Sequence, residues 1–381
     1  MRLLLLSAFH LGAPLPEWGA LGEVRRRDIR DALDDAVDLA LAPAARIDGV
    51  LVAGDLFDRP DPDAELLEFV RGCLARLHSG GKPTVLLPGL FDAVEGPRVR
   101  YASGDPLPGV TLVDWETPRR IEMRVGDDTL HLYSFAWSPG RSTAEIWGEV
   151  RREEGLGGLH VGLFHADLDG EVVPGSPLPS VAAADLAASG LDLVVVGRNH
   201  EAREMTVGGT TVVCPGSPVG LTFGEWNERC FVVAVLSEGR VTVERRVRSV
   251  APVIETEVDL AEAESADEEG LISLLRERLT GIAMARVRLV GETSRPLDLE
   301  RVAGEIGENG VVLDLIDATL VGDDAANDGD GSSLAAVRRL FADRLRRRIA
   351  AAPEGEAREV LKEALRIGLE RMYVTGGRHA A

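Results

Sequence analysis

Five short apolar runs in this chain each end in a small cluster of Asp, His or Gly, the residue types that bind cations and move protons. Leu3–Leu6 leads into Ser7-Ala8-Phe9-His10-Leu11-Gly12, and Val50–Ala53 into Gly54-Asp55-Leu56-Phe57-Asp58. Val85–Leu87 leads into Pro88-Gly89-Leu90-Phe91-Asp92, Val161–Phe164 into His165-Ala166-Asp167, and Val194–Val196 into Gly197-Arg198-Asn199-His200. A strand that ends in Gly-Asp presents its carboxylate at the C-terminal edge of a sheet, where α/β folds build their active sites. With two oxygens and several lone pairs, the Asp55 carboxylate could bridge two cations. Gly-Asp-x-x-Asp alone is only moderately specific. Its company makes it informative: three of the 7 histidines, His10, His165 and His200, also stand at strand ends.

These segments together resemble the calcineurin-like metallophosphoesterases, specifically the SbcD/YhaO type of DNA-repair exonuclease, the nuclease subunit of SbcCD-like complexes. In that family the five read D-x-H, G-D-x-x-D, G-N-H-D, H and G-H-x-H. The likeness extends through Phe164–Gly170 and Cys214–Glu225, covering residues 1 to about 250 closely and the remainder in layout. The resemblance implies a layered β-sandwich flanked by helices within an α/β fold, followed by a small α/β capping domain and C-terminal helices. It also implies a homodimer and a coiled-coil, SbcC-like ATPase partner.

Residue by residue, the resemblance implies a centre that has lost half its parts. Ala8 stands where the family has the Asp of D-x-H, and Leu90 and Phe91 where it has Asn and His; Arg198 stands for the first His of G-H-x-H. His10, Asp55, Asp58, Asp92, His165 and His200 remain. One metal seat keeps His10, Asp55 and His200; the other keeps Asp55 and His165. Two-metal hydrolysis holds cations about 3.5–4 Å apart to activate hydroxide and stabilise the developing oxyanion. Leu90 cannot ligate. Phe91, at the family's catalytic His position, cannot donate a proton, a loss that costs ~10²–10⁴ in rate. Arg198 repels a cation but could bind phosphate in bidentate fashion. Two imidazoles and a carboxylate make a known open metal site, so one manganese ion remains an option. The alternative is that His10, Asp55 and His200 are relics satisfied by hydrogen bonds, with no ion.

Length and composition set the frame. A chain of 381 residues exceeds one typical core and should divide. With 45% hydrophobic residues it can bury a substantial interior. Aromatics at 4% are too scarce for stacking platforms along single-stranded nucleic acid. A net charge of −21 is the reverse of a free-standing DNA binder, so DNA contact is expected only within a complex. Arg98, Arg100, Arg119 and Arg120 are the nearest candidates for a local basic patch. Cys73, Cys214 and Cys230 lack metal-type spacing and read as buried thiols of a reducing cytoplasm. Leu3–Leu6 is too short for a signal-peptide core, and no run approaches membrane-spanning length. A soluble cytoplasmic protein is expected.

Hydrophobic periodicity divides the rest. Ile29, Leu33, Val37 and Leu41 mark one face of a helix over 24–41, and Leu66, Leu67, Val70 and Leu74 another over 64–77. Beyond Val110–Val113 the chain is β-rich to residue 236, with Val125-Gly126-Asp127-Asp128 as a hairpin turn. Residues 251–320 alternate strand and helix as a compact module. Residues 321–333 are polar and glycine-rich and fail the spacing of a calcium loop, so a flexible linker is expected. Two helices occupy 334–375, broken at Pro353, with apolar stripes at Leu334, Val337, Phe341, Leu345, Ile349 and at Val360, Leu361, Leu365, Leu369. A hairpin of this size is not expected to bury both stripes unaided, and in the resembled family such helices dock on the ATPase. Three functions follow: a scaffold or regulatory subunit whose hydrolytic centre is lost, a one-metal exonuclease, or a phosphate- or nucleotide-binding module. A shared fold cannot choose among them.

Overall fold

The computed structural model describes residues 1–92, 107, 109–113, 119–126, 128–134, 147–148, 150–168, 176, 178–225, 228–237, 239–250, 253–263, 265, 267–293, 296–321, 333–353 and 355–377. Arg98, Arg100 and nearly all of the predicted linker lie outside these residues.

The chain divides into two compact units, Met1–Trp18 with Gly22–Val250, and Gly19–Leu21 with Ala251–Ala381. In the first, strands β1 (Arg2–Leu6), β2 (Gly49–Ala53), β3 (Thr84–Leu87) and β4 (Val110–Leu112) run parallel. Next come β5 (Arg119–Val125), β6 (Asp128–Ser134), β7 (Leu159–His165), β8 (Asp167–Leu168) and β9 (Ser180–Val181). The unit closes with β10 (Leu193–Gly197), β11 (Arg203–Val207), β12 (Thr210–Cys214), β13 (Cys230–Ser237) and β14 (Arg240–Val247). They form two six-stranded sheets, ordered β14-β13-β1-β2-β3-β4 and β11-β12-β10-β7-β6-β5. Helices α1 (Gly22–Leu41), α2 (Ala64–Ser79) and α3 (Ala183–Ser189) flank them. The fold is thus the expected mixed α/β architecture of layered sheets flanked by helices.

Continuous apolar runs make the central strands because a parallel strand is covered on both faces. All five residues of β2 and of β10 are buried, whereas β11 and β14 alternate exposure and edge their sheets. Helix α2 starts where the Asp63 side chain accepts from the Leu66 N–H at 2.8 Å, and it turns Leu66, Val70, Cys73, Leu74 and Leu77 inward. The two sheets pack with β2 against β7 and β10. Gly197 makes this approach possible, since a Cβ there would strike the Ala53 carbonyl oxygen. All three cysteines are free and buried, as expected.

The second unit holds β15 (Val253–Asp259), β16 (Met284–Val290), β17 (Glu292–Thr293), β18 (Val312–Asp317) and β19 (Leu320–Val321). Parallel β15, β16 and β18 carry helices α4 (Glu268–Arg278) and α5 (Leu299–Gly307) over a core that includes Leu271, Leu275, Val287, Leu289, Val302 and Ile306. Helices α6 (Ser333–Ala351) and α7 (Glu356–Gly377) follow. Here the structure corrects one expectation in part: the apolar stripes partly cover each other. Phe341, Leu345 and Ile349 pack with Leu365 and Leu369, and Arg366 reaches Asp317 at 3.6 Å. What stays exposed is a smaller set, Val337, Leu340, Val360 and Ile367. No helix among the described residues is long and apolar enough to cross a membrane.

Candidate functional site

The parallel strands deliver their C-terminal ends to one place. Beyond β1 and β2 the two chains stay paired: Ala8 N–H donates to Gly54 O, His10 N–H to Asp55 O, Leu11 N–H to Leu56 O and Asp58 N–H to Leu11 O, all at 3.0–3.1 Å. That pairing carries His10 beside Asp55. The register of β10 with β7 sets Gly197 opposite His165, so His165 and Arg198 emerge on neighbouring strands. Gly54 (φ +88°) is required here, because any side chain would meet the His165 ring.

Backbone strain is concentrated at this point. Among the described residues, the non-glycine positions with positive φ are Ala8, His10, Leu15, Arg46, Asp55 and Arg198. Four of them belong to the five strand-end segments. Such conformations cost on the order of 1–3 kcal/mol each and persist where the surroundings overdetermine them.

Each surviving imidazole is anchored through one nitrogen. His10 Nδ1 lies 2.9 Å from Asp58 Oδ1, His165 Nδ1 3.0 Å from Ala53 O, and His200 Nδ1 3.0 Å from Glu225 Oε1. A carbonyl or carboxylate only accepts, so Nδ1 carries the proton in all three and Nε2 is left for another partner. Outer groups orient metal-binding histidines in the same way. Nε2 of His10 and of His165 stand 3.8 and 3.2 Å from Asp55 Oδ2. These three buried atoms have no hydrogen bond of acceptable geometry. Asp55 Oδ1 accepts from the Phe91 N–H at 2.9 Å, and Asp92 joins two loops by accepting from the Leu56 N–H at 2.9 Å and from the Gly89 N–H.

The orphaned nitrogens of His10 and His165 and the oxygen of Asp55 fit cation chemistry, but not a pair of cations. Buried Ala8 offers no donor. Phe91 sets its ring edge-on to His10, with centroids 4.9 Å apart, so a hydrocarbon stands beside the imidazole. Arg198 Nε donates to Asp167 Oδ1 at 3.2 Å, placing a half-buried ion pair at the end of β10. His200 faces His10 with ring centroids 5.3 Å apart. Among the described residues, no three His, Cys, Asp or Glu side chains are grouped closely enough to hold an ion.

Charge is balanced internally. Burial alone would raise the Asp55 carboxyl, but the adjacent His165 imidazole, then His10 and the Phe91 N–H, outweigh it and hold Asp55 well below the usual carboxylate range. Burial would lower His165, yet Asp55 and the Ala53 carbonyl raise it. Burial and then the Asp55 charge push Asp92 up to about 6. Burial would raise Glu225, but His200, the Leu221 N–H and Arg229 together outweigh it and lower the carboxyl. With no cation bound, these opposed shifts favour a protonated His165 imidazole beside the Asp55 carboxylate.

Asp167, the partner of Arg198, and Arg229 were not singled out by sequence reasoning. Arg229 donates through Nη1 to His200 O at 2.8 Å and through Nη2 to Glu225 O at 2.7 Å, fixing the loop that holds His200. A register signal existed for Asp167. It lies two residues beyond His165, the last residue of the strand beside β10, within reach of whatever replaces the family's histidine at 198. Arg120, weighed as a basic-patch residue, is engaged with His131 and Glu153. Next to the site, the segment after β7 and the ends of β10 and β12 border an open pocket of about 280 Å³, whose walls include Asp167, Leu168, Val196, Arg198, Asn199 and His200.

No protein-family model matches the chain, and no curated protein matches it in sequence. Similar solved structures include an archaeal phosphodiesterase, with 12% identity, TM-score 0.34, covering 65% of this chain and 100% of that one. A dimetal phosphatase from Danio rerio has 13% identity and TM-score 0.41, over 65% and 96% of the two chains. A single mutant of Vps29 from Entamoeba histolytica has 18% identity and TM-score 0.28, over 65% and 100%. Likenesses this remote say nothing of chemistry, which has to come from the residues themselves.

Proposed function

We propose that this chain is a metallophosphoesterase-type subunit of the SbcD/YhaO kind that has lost phosphodiester hydrolysis and serves as a scaffold or regulator. Its partner in this reading is a coiled-coil, SbcC-like ATPase acting on DNA double-strand breaks. The observation that carries the loss of hydrolysis is the Arg198–Asp167 ion pair, which places a guanidinium where the resembled family puts a metal ligand. Phe91 beside His10 supports it, since no proton can reach a leaving oxygen from a phenyl ring. The chain's own residues still anchor three imidazoles and bury a carboxylate; the resemblance implies His10, Asp55 and His200 as the set for one manganese ion, but they are not grouped closely enough here to hold it. Such an ion would supply Lewis-acid assistance but not a two-cation clamp. The purified chain, soaked in manganese and dialysed, should retain at most one ion by inductively coupled plasma analysis and show negligible cleavage of linear duplex DNA. Two tightly held ions, or a nuclease abolished by Asp55→Ala, would replace this reading with the exonuclease one.

A phosphate-binding module is the second reading, favoured by the pocket beside Arg198. Against it stands the Asp167 carboxylate, which partly cancels the guanidinium charge that a phosphate would need.

The C-terminal helices supply the partner arm of the scaffold reading. Val337, Leu340, Val360 and Ile367 remain exposed after the two stripes have packed together. Arg338, Arg339, Arg344 and Arg346–Arg348 make α6 basic in an acidic chain. Deleting residues 334–381 is expected to leave the melting of residues 1–250 little changed and to abolish co-purification with the ATPase. Unfolding of residues 1–250 on truncation, or undiminished co-purification, would remove the docking role.

A further inference from the structure

The 280 Å³ pocket has walls of two kinds. Ala166, Leu168, Val196 and Cys214 make an apolar side. Asp167, Arg198, Asn199 and His200 make a polar one. The volume sits just below the range usual for small-molecule sites, which are mostly apolar with a few convergent polar groups. Its place, at the C-terminal ends of parallel β7, β10 and β12, is where α/β sheets hold ligands.

Asp167 gives the pocket its direction. Its side chain is only 1% exposed, and one oxygen accepts from Arg198 Nε at 3.2 Å. The other oxygen, Oδ2, is buried with no hydrogen-bond partner. An unsatisfied buried carboxylate oxygen costs more than an ordinary hydrogen bond is worth, so it calls for a donor. Immediately beside it, Arg198 keeps further N–H groups, which can only donate. A ligand matching both must donate and accept from adjacent atoms. A vicinal diol does so: one hydroxyl gives its proton to Asp167 Oδ2, and its neighbour accepts from the guanidinium.

Charge narrows the class. Arg198 and Asp167 compensate each other, as Arg229 and Glu225 do nearby, so the polar wall is close to neutral. A dianionic phosphate pressed against Asp167 would be repelled at short range, whereas an uncharged diol meets no such penalty. The apolar wall then suits a flat, weakly polar body attached to the diol. Carboxylates beyond parallel strands hold ribose hydroxyls in dinucleotide-binding folds by the same chemistry. Arg198 is also held at φ 106°, an outlier for a non-glycine residue, which fits a side chain placed for contact.

We propose that this pocket binds a ribonucleoside through its 2′,3′-diol, with Asp167 Oδ2 accepting from one hydroxyl, Arg198 donating to the other, and the base lying on Leu168, Val196 and Cys214. The site requires no metal ion, and the inference stands whether or not the chain is a phosphoesterase relative. It separates ribose from deoxyribose, which the reading as a DNA-processing subunit does not require.

Isothermal titration calorimetry on the full chain in EDTA tests it, with adenosine, 2′-deoxyadenosine, methyl β-D-ribofuranoside and inorganic phosphate as probes. Adenosine should bind, and 2′-deoxyadenosine at least tenfold more weakly. The riboside should bind weakly and compete with adenosine, showing that the diol is the shared determinant; phosphate should not compete. Asp167→Asn should cut adenosine affinity at least tenfold and erase the ribose preference. Because Asp167 is buried, Leu168→Trp is the second variant; it fills the pocket from the apolar side and should abolish binding while leaving the Arg198–Asp167 pair. Equal affinity for the two nucleosides, competition by phosphate, or no adenosine binding at millimolar concentration overturns the proposal.

Discussion

A variant carrying Ala8→Asp, Leu90→Asn, Phe91→His and Arg198→His, together with Asp167→Asn, is expected to hold two manganese ions per chain, against at most one expected for the native chain. The first four changes restore the ligand set of the resembled family. The fifth follows from the structure: removing Arg198 alone would leave the Asp167 carboxylate buried and unpaired. Breaking a buried pair in that way costs about 3–5 kcal/mol, a large part of the stability of an ordinary domain. The outer groups need no repair, because Ala53 O, Asp58 and Glu225 already fix the three imidazoles through Nδ1. Metal content after dialysis reads the result directly. Cleavage of a chromogenic phosphodiester should rise by a factor on the order of 10² or more as an acid returns at position 91. A folded variant that still takes up one ion or none would show that the backbone at the strand ends has moved away from two-cation geometry, and that His10, Asp55 and His165 are held for another purpose.

Much of the site was legible before any coordinates. Apolar runs ending in Gly, Asp or His place their last residues at a sheet edge, and five such runs in parallel strands converge. The edge strands β11 and β14 were not legible, because half of Arg203–Val207 and most of Arg240–Val247 face outward and carry charge. The answer to Arg198 was hidden for a different reason. Its partner Asp167 lies 31 residues away in sequence and becomes a neighbour only through the parallel pairing of β7 with β10. The terminal helices teach the same point. Periodicity identified the stripe through Phe341, Leu345 and Ile349 and the stripe through Leu365 and Leu369, but periodicity says which face is apolar, not what covers it. Gly368 settles that locally, since the Phe341 ring lies where a side chain at 368 would stand.

The raised His165 beside Asp55 should make the chain lose stability as pH rises from 5 to 8. His165 is raised above its ordinary 6.5, so its contribution is complete below 6.5 and disappears as pH climbs through the higher folded value. Asp92 is pushed from 3.8 up to about 6 by burial and by the Asp55 charge; its neutral form is the one the fold prefers, and that preference is lost between those values. Asp55, held below 3.8, contributes at every pH in this window and weakens only in stronger acid. His160 acts in the opposite sense, because burial lowers it and the folded state gains as it becomes neutral. The decisive quantity is therefore the difference between the native chain and His165→Gln. Urea unfolding in EDTA should show the native chain losing more stability than the variant between pH 5 and 8, through this one linked proton. Parallel pH profiles would mean that His165 keeps its ordinary affinity for a proton in the folded chain, and a relative gain of the native chain with rising pH would mean that it is neutral there; either result removes the charge pairing with Asp55.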